Sequence, residues 1–589
     1  MSYIHPYKDA TFFLEHVVNF DELCQSAELT DVNMDLAVAV LDEAGKIGSD
    51  VLAPLNQVGD LNGATLGEQG VNASPGFNEA YQQFAENGWL SLAAEEAVGG
   101  QNMPNVLNTA VNEIWHSANM AFALCPMLSM GAMESIAHHA SSELQETWLP
   151  KMVSGEWTGT MNLTEPDAGS DLAAIKTQAV PEGDHYLISG QKIFITWGDH
   201  QMTDNIVHLV LARLPDAPAG VKGISLFIVP KFTLDANGEA ATRNGAHCLS
   251  LEHKLGIHGS PTCVMEFAGA EGYLVGEEHK GLSYMFTMMN HARQAVGLQG
   301  LSISERAYQL AVEYAKERVQ GTRRDGSRIP IIEFPDVRRM LLTMKSSIEA
   351  MRGLALTAAA ELDRAAATGD EAQKAHHAAR FELLTPIVKG WLTEMSQELT
   401  SLGVQVHGGM GFIEETGAAQ HFRDARILTI YEGTTGIQAL DLVGRKTLMN
   451  QGTVLKALLD EMRVTSDALS DSEYPDWGVI IGFDQALEAG VEACQHLLAS
   501  AETDKHHAGS ASVNFMMLFG YLCGGWGMVQ GAMKARAMLD AGEGDKDFLT
   551  SKLQTTRFYC EHMLPRTKAC LAVIKSESDA VMAMPESQF

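Results

Sequence analysis

The apolar residues of this 589-residue chain change their period twice, and that change limits the fold more than any other feature. From 8 to 158 they recur mainly at helical spacing, broken at "LAPLNQVGDLNGATLGEQGVNASPG" and "AVGGQNMPN". From 159 to about 276 they form short runs: "HYLISGQKIFIT", "NIVHLVLAR", "GISLFIVPKF", "LSLEHKLG" and "TCVMEFAG". Gly, Pro, Asn and Asp separate these runs, as they separate strands. After Gly276 helical spacing returns. Val337, Leu341, Met344, Ile348, Met351 and Ala355 step by 4, 3, 4, 3, 4, the seam of a long packed helix entered just after Pro335. A second seam, tolerating Pro386 as a kink, runs through Phe381, Leu384, Ile387, Trp391, Met395 and Leu399, and both helices read as scaffold.

The polar stretch "VTSDALSDSEYPDWG" (464–478) then sets off a last segment with apolar helical patterns near 479–501, 511–538 and 546–575. The expected class is α+β: an N-terminal helical domain (1–158), a small β-barrel-like middle domain (159–276), a helical bundle (277–450) and an extra C-terminal helical domain (451–589). Fifteen uncharged residues, "FMMLFGYLCGGWGMV" (515–529), fall short of the roughly twenty that span a bilayer. They read as a buried helix, with Gly524, Gly525 and Gly527 permitting close packing and weak membrane contact as the alternative.

A formal charge of -33 argues against a nucleic-acid or anionic-membrane binder, since phosphates are captured by excess Lys and Arg. The basic run "GTRRDGSR" (321–328) is a solvated loop or a local anion contact. Eight cysteines without a C-x-x-C pair read as buried, reduced thiols. The N-terminus lacks the basic start and apolar run of a signal peptide, so a cytoplasmic location is expected. The histidine pairs at 138/139, 376/377 and 506/507 have no accompanying carboxylate or thiol pattern, and no metal is expected.

Chemistry concentrates in a few polar, glycine-bearing stretches. In "TGTMNLTEPDAGSD" (158–171), backbone N–H groups at Leu163 and Thr164 and the hydroxyls of Thr164 and Ser170 suit the polar edge of a flat ligand; a helix cap is the alternative. "KIFITWGD" (192–199) sets Thr196 beside two aromatics. "QVHGGMGF" (405–412) follows a helix and lacks the G-x-G-x-x-G spacing, which disfavours a Rossmann dehydrogenase, although Gly408 and Gly409 admit close backbone approach. In "RDARILTIYEGTTGIQ" (423–438) Glu432, set between an aromatic, a glycine and two threonines at the end of an apolar run, is either a helix-end acid or a base in a dry pocket, and the local pattern does not decide.

The motifs "MNLTEPDAGSD", "GQKIFIT", "HKLGIHGSPT", "GLSYMFTMMNHARQAVG", "QVHGGMGF", "RDARI" and "YEGTTGIQ" together resemble, in order and spacing, those of acyl-CoA dehydrogenases. The likeness is strong from about 80 to 445. The long form resembles the bacterial subgroup of medium/long-chain or 3-methylmercaptopropionyl-CoA dehydrogenases.

The resemblance implies FAD, conversion of acyl-CoA to trans-2-enoyl-CoA as in fatty-acid β-oxidation, and electron transfer to an electron-transfer flavoprotein. It puts Glu432 at the position of the base for the α proton. The family's alternate base position holds Ala292, which cannot accept a proton. It implies substrate contacts at Ser170, Asn290, Arg293 and Gly433. It implies FAD contacts at Met161, Leu163, Thr164, Ser170, Phe194, Ile195, Thr196, Arg318, Thr434 and Gly436. Gln405, Gly408 and Gly409 would reach the cofactor of a neighbouring subunit, so a homodimer or higher oligomer is implied. "QGTRRDGSRIPIIEFPDV" departs from the family pattern, and no FAD contact is assigned to it. An acyl-CoA oxidase and a non-catalytic acyl-CoA-binding protein are the alternatives.

Overall fold

The computed structural model describes residues 3–471 and 476–589. Five helices in the first hundred residues or so lead into α1 (Asn105–His139), whose side chains are mostly buried. That helix is kinked at Asn119, which leaves the helical φ/ψ region and whose Oδ1 caps the second half by accepting from Phe122 N at 3.1 Å.

The strands of the main sheet of the middle region are β1 (Trp157–Asn162), β2 (Gln178–Glu182), β3 (His185–Thr196), β4 (Asn205–Arg213), β5 (Ile224–Pro230), β6 (Ala246–Leu251) and β7 (Thr262–Leu274); Phe232–Leu234 and Ala240–Arg243 form a separate hairpin. Pairing runs β7–β3–β2–β4–β5 and returns from β5 to β7, so five strands close into a barrel; β1 joins β4 in parallel and β6 joins β7. Val210, Phe227, Val229, Met265 and Phe267 fill the interior. Trp197 ties the barrel to α1 by donating from Nε1 to the Ala121 carbonyl at 3.1 Å.

The bundle is α2 (Gly281–Glu317), α3 (Pro335–Ala367) and α4 (Glu371–His407). Leu341, Met344, Ile348, Met351 and Ala355 of the first seam are buried, as are Leu384, Ile387, Trp391, Met395 and Leu399 of the second. Pro386 lies inside a single continuous helix. Helices α2 and α4 approach closely because Gly297 and Gly300 face them: an added Cβ would stand 2.9 Å from the Val388 carbonyl at the first and 2.6 Å from that of Leu392 at the second. This contact fixes the depth of the α4 side chains beside the short helix α5 (Thr435–Gly444).

The C-terminal helices are α6 (Thr453–Asp471), α7 (Trp477–Ser500), α8 (His507–Ala541) and α9 (Lys546–Phe558). The stretch expected to begin a linker at 464 is instead the end of α6; its polar residues occupy mainly the outer face, while Ser466 and Leu469 are buried. Residues 472–475 of that stretch lie outside the described residues. By length and composition α1 and α8 could each cross a membrane, but 83% and 78% of their apolar windows are buried inside the protein. Phe515, Met516, Leu518, Phe519, Leu522, Met528 and Val529 are all covered.

At Gly520 an added Cβ would stand 2.0 Å from Cγ of Trp391. We expect Gly520→Ala to cost about 1–3 kcal/mol through overpacking, read as a lowered denaturation midpoint. Six of the eight thiols are buried as expected, whereas Cys248 and Cys570 are half-buried. In the basic run, Arg323 pairs with Glu333 beside a small hairpin, and Arg324 and Arg328 are exposed.

Candidate active site

Glu432 sits in the turn between a short 3-10 segment (Arg426–Thr429) and α5. It adopts left-handed backbone geometry (φ 55°), and Gly433 follows at φ 91°. A non-glycine residue held there stores strain that its surroundings must offset. They do so through the carbonyls: Gln438 Nε2 donates to the Glu432 oxygen at 3.2 Å, and Lys389 Nζ donates to the Gly433 oxygen at 2.6 Å. The preceding Tyr431 donates its hydroxyl to Gln299, which in turn contacts Met127 Sδ at 3.1 Å.

Glu432 is half-buried, and the loss of hydration pushes its carboxyl up to about 7, with Arg293 and then Lys389 pulling the other way. Arg293 is buried. Its Nη1 lies 3.8 Å from Asp441 and 3.5 Å from Asn290 Oδ1, and its Nε has no partner. Ala292 is buried, and its neighbour His291 is turned toward Glu134, 3.1 Å away. The turn therefore carries one carboxyl near neutrality, flanked by two cations.

The loop after β1 is held by a buried ion pair. Lys192 Nζ reaches Glu165 Oε1 at 2.8 Å and the Leu163 carbonyl at 3.0 Å, while Glu165 accepts from Lys176 N, Thr177 N and Thr177 Oγ1. Burial raises the Glu165 carboxyl, and Lys192 with these donors outweighs it, leaving it below the usual range. The Thr164 carbonyl accepts from Ile193 N at 2.9 Å, which sets the loop beside the end of β3.

There β3 carries one more residue than β7 between paired positions, a bulge. Phe194 takes φ 61° in it and is 58% exposed. Thr164 and Thr196 are half-exposed beside it and Ser170 is exposed. Two expected cofactor residues present backbone only: Ile195 buries its side chain in the barrel core, and Leu163 is packed against the main core. The alternation of a strand drives Ile195 inward once Phe194 points out.

Gln405, Gly408 and Gly409 lie on an exposed face at the end of α4, next to Met410, Ile413 and the 86% exposed Phe412. An added Cβ at either glycine would meet nothing within 4 Å. Arg318 is exposed where α2 ends, and Thr434 caps α5, its Oγ1 accepting from Ile437 N at 3.4 Å. Gly436 leaves the first turn of α5 open.

An outward aromatic, threonine hydroxyls, an exposed arginine, open glycines and a helix N-terminus able to receive phosphate make a donor set that fits a flavin dinucleotide. The sequence reading missed Lys389, Gln438, Glu165 and Lys192. The signals were a lone lysine in the apolar run "PIVKGWL" and an acid and a lysine bounding the loop motif. The helix read as scaffold alone thus also supplies a cation to the site.

Comparison with known proteins shows the family. Residues 68–156, 160–270 and 279–448 match the N-terminal, middle and C-terminal domains of acyl-CoA dehydrogenase, and 475–585 match the acetyl-CoA dehydrogenase C-terminal-like family. The chain is 45% identical over 586 residues to a 3-methylmercaptopropionyl-CoA dehydrogenase of Ruegeria pomeroyi, covering 99% of each. It is 34% identical over 618 residues to a butyryl-CoA dehydrogenase of Syntrophomonas wolfei, covering 100% of this chain and 99% of the relative. In fold it resembles the acyl-CoA dehydrogenase of Bacillus anthracis complexed with FAD, with TM-score 0.74, 21% identity and coverage of 92% and 88%. The chain belongs to the acyl-CoA dehydrogenase family and is a flavin-dependent oxidoreductase with FAD as its cofactor.

Lys192→Met leaves Glu165 buried without its cation and frees the Leu163 carbonyl. We expect retained FAD to fall at least about tenfold, the equivalent of one lost charged hydrogen bond. The flavin-to-protein absorbance ratio checks this.

Proposed function

We propose that this enzyme removes the α and β hydrogens of a short acyl-CoA to give the trans-2-enoyl thioester, with Glu432 as the base for the α proton. The observation that carries the reading is the Glu432 carboxyl, raised to about 7 between two cations in a backbone turn that fixes its aim. A base of that strength suits a carbon acid better than an ordinary surface carboxylate does. Arg293, Asn290 and Gly433 serve the thioester end, with Gly433 allowing the left-handed turn that Gln438 packs against. Met161, Leu163, Thr164, Ser170, Phe194, Thr196, Arg318, Thr434 and Gly436 hold FAD, through backbone at Leu163. FAD, when bound, accepts the β hydrogen as hydride. Gln405, Gly408 and Gly409 serve the same cofactor from a second copy of the chain, so the working unit is at least a homodimer. An electron-transfer flavoprotein is the electron acceptor, and rapid peroxide formation with oxygen as sole acceptor would instead identify an oxidase.

The 45% identity along the whole length to the Ruegeria pomeroyi enzyme makes 3-methylmercaptopropionyl-CoA the first substrate to test. A saturated straight-chain acyl-CoA is the second reading, favoured by the likeness to butyryl-CoA dehydrogenase. Steady-state kcat/KM for the methylthio substrate and for straight chains of four to sixteen carbons, with an artificial acceptor, separates them. The first reading expects the methylthio substrate to lead by about tenfold or more, a difference of about 1.4 kcal/mol in transition-state binding. A straight chain turning over faster would overturn it.

A further inference from the structure

Lys389 is fully buried on α4, yet its ammonium makes a single hydrogen bond, to the Gly433 carbonyl at 2.6 Å, and has no ion-pair partner among the described residues. A neutral donor would suffice to hold that carbonyl. Gln438 does the equivalent work for the adjoining Glu432 carbonyl. Burying a charge where an amide would serve is unfavourable unless the charge itself has a use.

The other charged groups around the turn each have a polar partner of their own. From α2, Arg293 shares its charge with Asp441, and from α5, Asp441 also meets Arg445 at 3.6 Å. From α4, Glu394 accepts the Thr435 hydroxyl at 2.5 Å. Tyr431, on the turn itself, is bonded to Gln299. Lys389 faces Glu432 alongside Arg293 but, unlike it, has no carboxylate of its own among the described residues.

We propose that Lys389 is a positioning residue: its buried ammonium fixes the Glu432–Gly433 turn and adds, beside Arg293, positive charge that helps Glu432 ionise in a poorly hydrated site. The inference rests on Glu432 being the base. Burial lowers Lys389 to about 8, with Glu432 and Glu394 opposing, as burial raises Glu432 to about 7. The active form has Glu432 ionised and Lys389 protonated. Glu432 is ionised above its raised value and Lys389 protonated below its lowered one, so the window for that form is narrow and closes on both sides.

The test is the pH profile of kcat/KM for the FAD-loaded enzyme and its Lys389→Gln and Lys389→Arg variants, with flavin content and affinity for the enoyl-CoA product measured alongside. The native enzyme should give a bell with its maximum between about pH 7 and 8. Lys389→Gln keeps a donor but not the charge. It should lose the alkaline limb and move the acid limb up by about one unit or more, while product affinity stays within about threefold. Lys389→Arg keeps the charge without a titrating group near neutrality, so the alkaline limb should vanish and the acid limb stay.

Both native limbs surviving in Lys389→Gln, whatever the rate, would overturn the proposal, and so would equal acid-limb shifts in the two variants. If Lys389→Gln does not yield folded flavoprotein, Lys389→Arg decides alone: a retained alkaline limb overturns the role. Glu432→Gln separates the two layers. Turnover within tenfold of native in that variant defeats the underlying base assignment, whereas a Glu432→Gln slowed a hundredfold or more with unmoved Lys389 profiles defeats only this inference.

Discussion

Glu432→Gln is expected to give a folded, yellow protein that forms enoyl-CoA about 10²–10⁴-fold more slowly, the usual contribution of a positioned general base. Gln has nearly the same shape, and the backbone of the turn is held by Lys389 and Gln438 through carbonyls the substitution does not touch. Substrate affinity should therefore change little. Among the described residues no neighbouring group is free to take over. Ala292 has no proton acceptor, His291 is engaged by Glu134, and Asp441 faces Arg293 and Arg445. The measurement is the flavin spectrum together with enoyl-CoA appearance. Turnover within tenfold of native would place the base elsewhere.

The largest effect on stability should come from Arg352, far from any chemistry. Its Nη2 bonds Glu113 Oε1 at 2.6 Å and Glu305 Oε2 at 2.9 Å, and its Nε lies 3.0 Å from both Glu113 oxygens. All three residues are buried. The cluster joins α3 to α1 and α2. Nearby, Lys552 of α9 pairs with Asp9 and, at 3.1 Å, with Glu349, which Lys345 meets at 2.9 Å. Buried pairs gain little over an apolar core, but removing one partner strands the other.

Arg352→Met leaves two carboxylates facing each other without a cation and should cost about 3–5 kcal/mol. Soluble yield and the urea midpoint read this. Combining it with Glu113→Gln and Glu305→Gln should recover much of the loss, because the uncompensated charge is then gone. A single variant as stable as native would show that the cluster is solvated or neutral.

Strands were legible where apolar residues are dense and bounded by turn residues: His185–Thr196 and Asn205–Arg213 begin and end where the runs "HYLISGQKIFIT" and "NIVHLVLAR" do. Strand β2 escaped because it is five residues long, contains Pro181 and buries only Ala179. The end of α6 escaped because a helix on the surface shows mainly polar residues outward, and Ser and Asp there imitate a loop. Closure of the barrel depends on β5 pairing with both β4 and β7, which no local pattern encodes.

In the site, local residues left Glu432 undecided, and motif resemblance singled it out. The cations that set its charge come from positions 139 and 43 residues away along the chain. Arg293 was found through its motif. Lys389 was hidden because its helix was recognised only by the apolar seam beside it. The Arg352 cluster, whose partners stand 239 and 47 residues apart, is similarly invisible to periodicity.

The most direct test of the account is exchange of the acyl α proton with solvent deuterium, followed by mass spectrometry under anaerobic conditions with no electron acceptor. Native enzyme should label the α carbon of 3-methylmercaptopropionyl-CoA or of a straight-chain acyl-CoA, and Glu432→Gln, still carrying FAD, should not. Labelling by Glu432→Gln at the native rate would contradict the assignment of Glu432 as the base.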